Sequence, residues 1–132
     1  MHFLTLTKEH LQTMIDHVDS CTPLEACGLL AGKNSTVGKV IGVRNQAQSP
    51  GRFVMDPIGQ LAAFQWIESH QFELLGIFHS HPTGPETVSP TDIAEAAYSV
   101  VHVILAPADG TWRARGFWVE NGGFEEVTLN FQ

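Results

Sequence analysis

Two histidines stand one residue apart at the end of an apolar segment, in His79-Ser80-His81-Pro82, and Asp92 follows after a loop rich in proline and glycine. In an extended strand alternate side chains lie on one face, so both imidazoles can reach the same ion. Two histidines and one carboxylate leave a fourth position open on tetrahedral zinc, which is typical of a catalytic site. The spacing therefore predicts a hydrolytic centre that binds one Zn²⁺ per chain through His79, His81 and Asp92.

Ser89 lies three residues before Asp92, in Ser89-Pro90-Thr91-Asp92. Serine at an N-cap followed by proline and a third-position acid is also an ordinary helix start. The two interpretations are compatible, because a helix start would hold Asp92 rigidly and fix the Ser89 hydroxyl near the metal. There the hydroxyl can hydrogen-bond a developing oxyanion.

A hydrolytic site also needs a general base, and the residue types alone leave three candidates. Glu86 lies in the loop, and Glu95 lies one turn beyond Asp92. Glu25 is distant in sequence and lies at the start of an apolar segment that is predicted to form a strand. The simplest interpretation of Glu25 alone is a carboxylate at an exposed strand end, but an acid beside a buried strand needs a partner or a function.

The elements that position these residues alternate between strands and helices. Thr7 is a predicted N-cap, Asp56-Pro57 a second helix start, and Asn121-Gly122 a hairpin turn. These signals predict a mixed, largely antiparallel sheet packed with helices in a three-layer α/β arrangement, as a single domain over residues 1–132. The predicted strands cover 2–6, 24–32, 37–43, 52–55, 72–79, 100–105, 111–119 and 124–129, and the helices follow Thr7 and cover 57–70 and 90–98.

Charge and hydropathy exclude two classes of partner. Acidic residues outnumber Lys and Arg by 14 to 7, and residues 53–112 contain no Lys or Arg. No basic patch for nucleic acid is therefore expected. No apolar run is long enough to cross a membrane, and the first residues lack a secretory signal, so the predicted location is cytoplasmic. Cys21 and Cys27 are then expected to be reduced, with Cys27 a small core residue.

Together, Glu25, His79-Ser80-His81-Pro82, Ser89 and Asp92 resemble the motif of the JAMM (MPN+) zinc metalloprotease family, short prokaryotic type. That motif is an upstream Glu, His-Ser/Thr-His-Pro, seven residues, Ser, and Asp three residues later. The surroundings of Glu25 and the stretch over 52–57 are similar to the family as well. The resemblance implies the MPN/JAMM fold, which is cytidine-deaminase-like.

The resemblance also implies a role for each motif residue. His79, His81 and Asp92 bind zinc, and Ser89 stabilises the oxyanion. Glu25 accepts a proton from the attacking water and passes it to the leaving amine, so the family pattern selects one of the three candidate bases.

The implied activity is that of an isopeptidase or peptidase. Family substrates are ubiquitin, ubiquitin-like or sulfur-carrier proteins that are cut after a C-terminal Gly-Gly. Because the chain has little room for the insertions by which eukaryotic members hold ubiquitin, we predict a small ubiquitin-like or sulfur-carrier substrate, with the loop over 82–88 as one wall of its groove.

Two other functions remain compatible with the sequence. One is a non-catalytic or partner-activated MPN scaffold, although such scaffolds lack metal ligands. The other is a metal-dependent amidase for small molecules, which uses the same chemistry with a different groove. No feature of the sequence indicates an oligomeric state.

Overall fold

A computed structural model describes residues 2–132 of the chain. It contains seven strands and three helices in mixed order. In chain order they are β1 (Phe3–Leu6), α1 (Lys8–Cys21), β2 (Cys27–Lys33), β3 (Thr36–Val43), α2 (Pro57–Ser69), β4 (Glu73–Ser80), α3 (Pro90–Ala94), β5 (Val101–Ala108), β6 (Thr111–Glu120) and β7 (Gly123–Phe131).

All seven strands join one sheet in the order β1-β3-β2-β4-β5-β6-β7, and β1 also pairs with β7, so that the sheet closes into a barrel. Four pairings are antiparallel, and the pairings of β1 with β3, β1 with β7 and β4 with β5 are parallel. The predicted mixed, largely antiparallel sheet with three helices is confirmed, and closure of the sheet is a feature that the prediction did not include.

One face of the sheet packs against α1, and we call it the α1 face. Met14 and Val18 of α1 are fully buried there. Thr7 caps this helix, because its hydroxyl accepts a hydrogen bond from the His10 N–H. The strands contribute a continuous apolar cluster that includes Leu4, Leu6, Leu30, Val37, Val40, Phe78, Val101, Val103, Leu105 and Val127.

Glycine at position 28 is required by close packing. A Cβ atom built there would lie 2.3 Å from the Phe78 ring and 2.4 Å from the Ile41 carbonyl oxygen. Real Cβ atoms do not approach other atoms so closely, so any side chain at Gly28 would displace the Phe78 ring or the backbone of β3.

The opposite face of the sheet lies under α2, and we call it the α2 face. Ala63 and Ile67 of α2 pack there against Cys27, Leu29 and Ile77 of the sheet. Asp56 caps α2, since its carboxylate accepts a hydrogen bond from the Gly59 N–H, and Pro57 begins the helix.

Three predicted elements differ clearly in extent. The strand predicted over 24–32 begins at Cys27, so that Glu25 precedes it. The segment over 52–55 is a loop with one isolated bridge between Asn45 and Met55, because the Asn45 side chain occupies backbone groups that a strand partner would bond. Helix α3 ends at Ala94 rather than at residue 98. The chain unwinds there and brings Tyr98 onto α2, where its hydroxyl accepts a hydrogen bond from Gln60. No helix within residues 2–132 is long and apolar enough to span a bilayer.

Candidate metal centre

The pairing of β2 with β4 brings Glu25 to the histidine segment. Cys27 of β2 is the register partner of His79. Beyond the paired residues, the Ser80 N–H donates to the Ala26 carbonyl at 3.0 Å, and the Ala26 N–H donates to the Ser80 hydroxyl at 2.8 Å. These two bonds fix the backbone next to Glu25, a residue that is only 1% exposed. Ser80, between the two histidines, therefore positions the segment that carries Glu25.

Four ionisable side chains converge at the carboxyl end of β4. Donor atoms of Glu25, His79, His81 and Asp92 all lie within 4.8 Å of one another, and all four residues are buried. Glu25 Oε1 is 3.0 Å from His79 Nδ1, and Asp92 Oδ2 is 3.1 Å from His81 Nε2. Asp92 Oδ1 lies 3.8 Å from His79 Nε2. Four such groups are rarely buried together unless they hold a cation.

His79 carries the atom that tests whether this cluster suits a metal. Its Nε2 is buried and has no hydrogen-bond partner. Because Nδ1 faces the Glu25 carboxylate, the ring proton belongs on Nδ1, which leaves the Nε2 lone pair free to bind a cation. An unpartnered imidazole nitrogen, a second imidazole and a carboxylate match the ligands that zinc prefers, so the residues fit a zinc ion.

His81 is oriented in the same way by its second nitrogen. Nδ1 of His81 donates to the Pro85 carbonyl oxygen at 2.8 Å, which directs Nε2 toward Asp92. Burial alone would lower the pKa of His81, but the hydrogen bond to Asp92 and the one to Pro85 hold this pKa above its ordinary value. A metal ligand whose other nitrogen donates to a carbonyl has a fixed ring orientation.

Asp92 is held by the start of α3, as the sequence predicted. Its Oδ2 accepts a hydrogen bond from the Ser89 N–H at 2.8 Å, and its own N–H donates to Ser89 Oγ at 3.0 Å. Burial alone would raise the pKa of Asp92, but the hydrogen bond with His81, the positive charge that the two histidines carry when protonated, and the Ser89 N–H together lower this pKa far below its ordinary value. The carboxylate is therefore ionised and rigid.

The loop over 45–54 supports the other side of the cluster. The Asn45 amide donates to the carbonyl oxygens of Glu25 and Arg52 and accepts from the Val54 N–H. This arrangement seats the Phe53 ring on the His79 ring, with 4.5 Å between their centroids. Neither Asn45 nor Phe53 was singled out by the sequence, because the interactions that matter join residues distant along the chain.

The structure separates the three acids that the residue types had left as alternative bases. Glu25 lies in the cluster. Glu86 pairs with Arg113 at 3.1 Å, and Glu95 pairs with Arg52 at 3.2 Å. Both of those ion pairs are partly exposed, so Glu25 is the acid of the three that the fold brings to the two histidines.

A cavity of about 220 Å³ opens beside the cluster. Asp92 and Phe53 contribute to its lining, together with residues of α2, β4 and β5 and the segment after α3. The loop over 82–88, predicted as one wall of the substrate groove, does not line this cavity. His102 does line it, and the sequence patterns do not single this residue out; the available signal is a lone polar residue inside the apolar run Val-His-Val-Ile-Leu.

Comparison with known proteins gives consistent results. Residues 7–118 match the family described as prokaryotic homologues of the JAB domain. A desampylase from Pyrococcus furiosus is 40% identical over 123 residues, which cover 92% of this chain and 86% of the relative. A probable TtuB-protein conjugate cleaving protease from Thermus thermophilus is 40% identical over 108 residues, which cover 81% of this chain and 68% of the relative.

Solved structures share the fold. The solution structure of a protein from Desulfitobacterium hafniense superposes with a TM-score of 0.88 at 32% identity, covering 98% of this chain and 92% of that one. The likeness therefore extends over nearly all of the described residues.

Proposed function

The chain belongs to the family of prokaryotic homologues of the JAB domain, and on that basis we propose that it is a zinc-dependent isopeptidase or peptidase. Its proposed reaction is hydrolysis of the amide bond after the C-terminal Gly-Gly of a ubiquitin-like or sulfur-carrier protein. The relatives named as a desampylase and as a TtuB-protein conjugate cleaving protease support this substrate class. Because all seven strands join one sheet, residues 1–132 are proposed to act as a single catalytic domain.

The observation that carries the proposal is the buried cluster of Glu25, His79, His81 and Asp92, with His79 Nε2 left unpartnered. A non-catalytic scaffold has no need to bury four ionisable groups within 4.8 Å of one another. Leaving such groups without a cation would cost several kcal/mol of desolvation, by a rough estimate. The cluster therefore favours a metalloenzyme.

In this proposal His79, His81 and Asp92 hold the zinc ion. Zinc, when bound, supplies Lewis acidity toward the scissile carbonyl and toward a water nucleophile. The chain's own contribution is to let Nδ1 of each imidazole donate, to the Glu25 carboxylate and to the Pro85 carbonyl, so that both Nε2 atoms face the metal position. The Nε2 proton that His81 shares with Asp92 would be released when the metal binds. Asp92 adds a negative charge that α3 holds in place.

Glu25 is proposed to move the proton. Its Oε1 accepts the hydrogen bond from His79 Nδ1, which leaves Oε2 as the oxygen that can take a proton and release it to the leaving amine. Burial keeps the Glu25 carboxylate away from bulk water, and a general base must lie within hydrogen-bond reach of the proton that it takes up. The Ser89 hydroxyl oxygen accepts a hydrogen bond from the Asp92 N–H, so the Ser89 O–H stays available to donate toward a developing oxyanion.

The test is a panel of fusion proteins, in each of which a Gly-Gly-ended ubiquitin-like or sulfur-carrier protein is joined through its C-terminus to a reporter. We expect the purified protein to contain close to one zinc per chain and to release the carrier, and a chelator to stop the release. Cleavage of small amides with all fusions left intact would contradict the proposed substrate class. Absence of zinc and of all hydrolysis would contradict the proposed enzyme.

A further inference from the structure

Asn45 is a buried polar side chain that has no part in the proposed chemistry. It is 8% exposed, and its amide forms four hydrogen bonds, which is the full capacity of the group. Nδ2 donates to the carbonyl oxygens of Glu25 and Arg52. Oδ1 accepts from the N–H groups of Ala47 and Val54. All four partners are backbone groups, so the amide joins segments of the chain and does not contact the metal cluster directly.

The backbone of Glu25 is held by the loop over 45–54. Glu25 precedes β2 and takes part in neither of the two pairings of that strand. Its N–H donates to the Ser49 carbonyl at 2.8 Å, and its carbonyl accepts from Asn45 Nδ2 at 2.9 Å. The loop therefore fixes both backbone groups of the residue whose side chain is the proposed general base.

The same amide fixes the segment that carries Phe53. Asn45 bonds the Arg52 carbonyl at 3.1 Å and the Val54 N–H at 3.0 Å. These backbone groups lie on either side of Phe53. The Phe53 ring stacks on the His79 ring with 4.5 Å between the centroids and 28° between the planes. Because aromatic pairs prefer a limited set of mutual orientations, this stack restrains the plane of the imidazole.

His79 is the residue on which both segments act. Its side chain is fully buried, and its Nδ1 lies 3.0 Å from Glu25 Oε1, while Phe53 lies against its face. The orientation of the ring decides where Nε2 points, and groups that orient a ligand tune both metal affinity and activity. The two contacts that set this orientation come from segments that one amide, that of Asn45, bonds together.

We infer that Asn45 is a positioning residue for the proposed reaction, which sets Glu25 and Phe53 in fixed places around the His79 ring. The inference rests on the proposed function, because it concerns the base and a metal ligand of the same site. Asn45 acts through these residues and not on the reacting atoms. A displacement of Glu25 by about 1 Å would misalign the base with the proton that it takes up, and misplacement of this size costs about 10²-fold in rate.

The first experiment measures cleavage of a Gly-Gly fusion by Asn45→Asp and Asn45→Ser. The first variant keeps both acceptor bonds and loses both donated bonds, whereas the second loses the reach of the amide without adding a charge. We expect kcat to fall about 10- to 100-fold in both, with KM changed little. Zinc content should be retained, because all three proposed ligands remain. A loss in Asn45→Asp alone would assign the effect to the added charge and overturn the inference.

Asp56→Ala is the matched control. Asp56 directly follows the loop and Met55, but its carboxylate caps α2 through the Gly59 N–H and bonds no group beside Glu25 or Phe53. Loss of the cap should lower the melting temperature and leave kcat unchanged. If both Asn45 variants likewise lower the melting temperature and retain the wild-type kcat, Asn45 is a structural residue only and the inference is wrong.

A double-mutant cycle tests the contribution of Phe53. Phe53→Leu removes the stack on His79, and we expect kcat to fall about two- to tenfold. Combined with Asn45→Ser, the loss should be smaller than the product of the two separate losses, because the amide acts in part through Phe53. Independent effects would contradict the part of the inference that concerns Phe53.

Hydrogen exchange measures the positioning without relying on activity. In the zinc-loaded protein with ¹⁵N-labelled histidines, the His79 Nδ1–H is buried and bonded to Glu25, so it should exchange slowly with solvent. We expect exchange to be about tenfold faster in Asn45→Ser and near the wild-type rate in Asp56→Ala. Unchanged exchange in Asn45→Ser, while the wild type cleaves fusions, would overturn the role of Asn45 and leave the proposed function intact. Faster exchange in Asn45→Ser, with no fusion cleaved by the wild type, would support the positioning and contradict the hydrolase.

Discussion

The two faces of strands β4 and β5 differ in what they bury. Toward α1 these strands present Phe78, Val103 and Leu105, which join one apolar cluster. Toward α2 and α3 the alternate positions include His79 and His102. Because side chains alternate along a strand, the same two strands supply both faces, and neither set of residues can shift register without exchanging places with the other.

The helices on the two faces differ accordingly. Helix α1 has 14 residues and buries Met14 and Val18 completely. Helix α3 has five residues, one of which is the buried Asp92. The long helix covers its face with apolar contacts, whereas the short one holds Asp92, a proposed metal ligand, and leaves a cavity beside it. Stability is therefore expected to depend mainly on the α1 face, and chemistry on the face that α3 only partly covers.

Loss of a zinc ligand tests this division most strongly. His79→Ala and Asp92→Ala each remove one of three proposed ligands. We expect zinc content to fall from near one per chain to near zero, and hydrolytic activity to be lost with it. Changes to groups that only orient ligands already reduce metal affinity by about 10–100-fold, so direct loss of a ligand should reduce this affinity by more than roughly 100-fold. Metal analysis of the purified variants measures the effect.

Phe78→Leu serves as the control for these variants. It is adjacent to His79 but points to the α1 face, where it is fully buried. It should lower stability and retain zinc. Stoichiometric zinc in both ligand variants would contradict the assignment of His79 and Asp92.

Glu25 has a hydrogen bond with His79 in the cluster and a proposed role in proton transfer. Glu25→Gln can still accept a hydrogen bond from His79 Nδ1–H through its amide oxygen, so we expect zinc content to be preserved. The amide cannot take up a proton near neutral pH, and hydrolysis should fall by about 10²–10⁴-fold. Fusion cleavage and metal analysis on one sample test both statements. An active Glu25→Gln enzyme would place the base elsewhere, with Glu86 and Glu95 as the next candidates.

Gly28 provides the converse test on the α1 face. Gly28→Ala forces a methyl group against the Phe78 ring, which a Cβ would meet at 2.3 Å. Overpacking of this kind costs about 1–3 kcal/mol of unfolding free energy. Denaturant unfolding should detect the loss, while zinc stoichiometry and the KM of the folded fraction stay unchanged. A variant that folds normally yet loses zinc would show that the two faces are coupled.

Local patterns made much of the site predictable. His79 and His81 share a face because of their spacing, and Ser89 and Asp92 cap α3 because serine and an acid three residues later satisfy each other's backbone groups. Such contacts lie within a few residues of one another, so residue types alone indicate them. The order of strands and helices followed from similar local signals.

Features that depend on pairing between distant strands could not be predicted from local sequence patterns. The parallel pairing of β1 with both β3 and β7 closes the sheet, and no local signal specifies it. The residue types left Glu25 as one of three bases, because its approach to His79 depends on the register of β2 against β4. The same holds for His102, whose position next to the cavity follows from its place beside Ile77 across the parallel β4–β5 pair.

The smallest expected effect is a difference in reactivity between the two thiols, which reports how far solvent reaches the α2 face near the cluster. Cys27 is fully buried, one strand away from His79, while Cys21 at the end of α1 is partly exposed. Burial raises the pKa of Cys27 to about 12, with smaller contributions from Cys21 and Glu25. At pH 8 its thiolate fraction is therefore on the order of 10⁻⁴, and the thiolate is the form that reacts.

Iodoacetamide should modify Cys21 well before Cys27 in the folded protein, and both at similar rates in denaturant. Mass spectrometry measures the extent of modification at each cysteine. Equal labelling of the two in the folded state would mean that solvent reaches the sheet beneath α2.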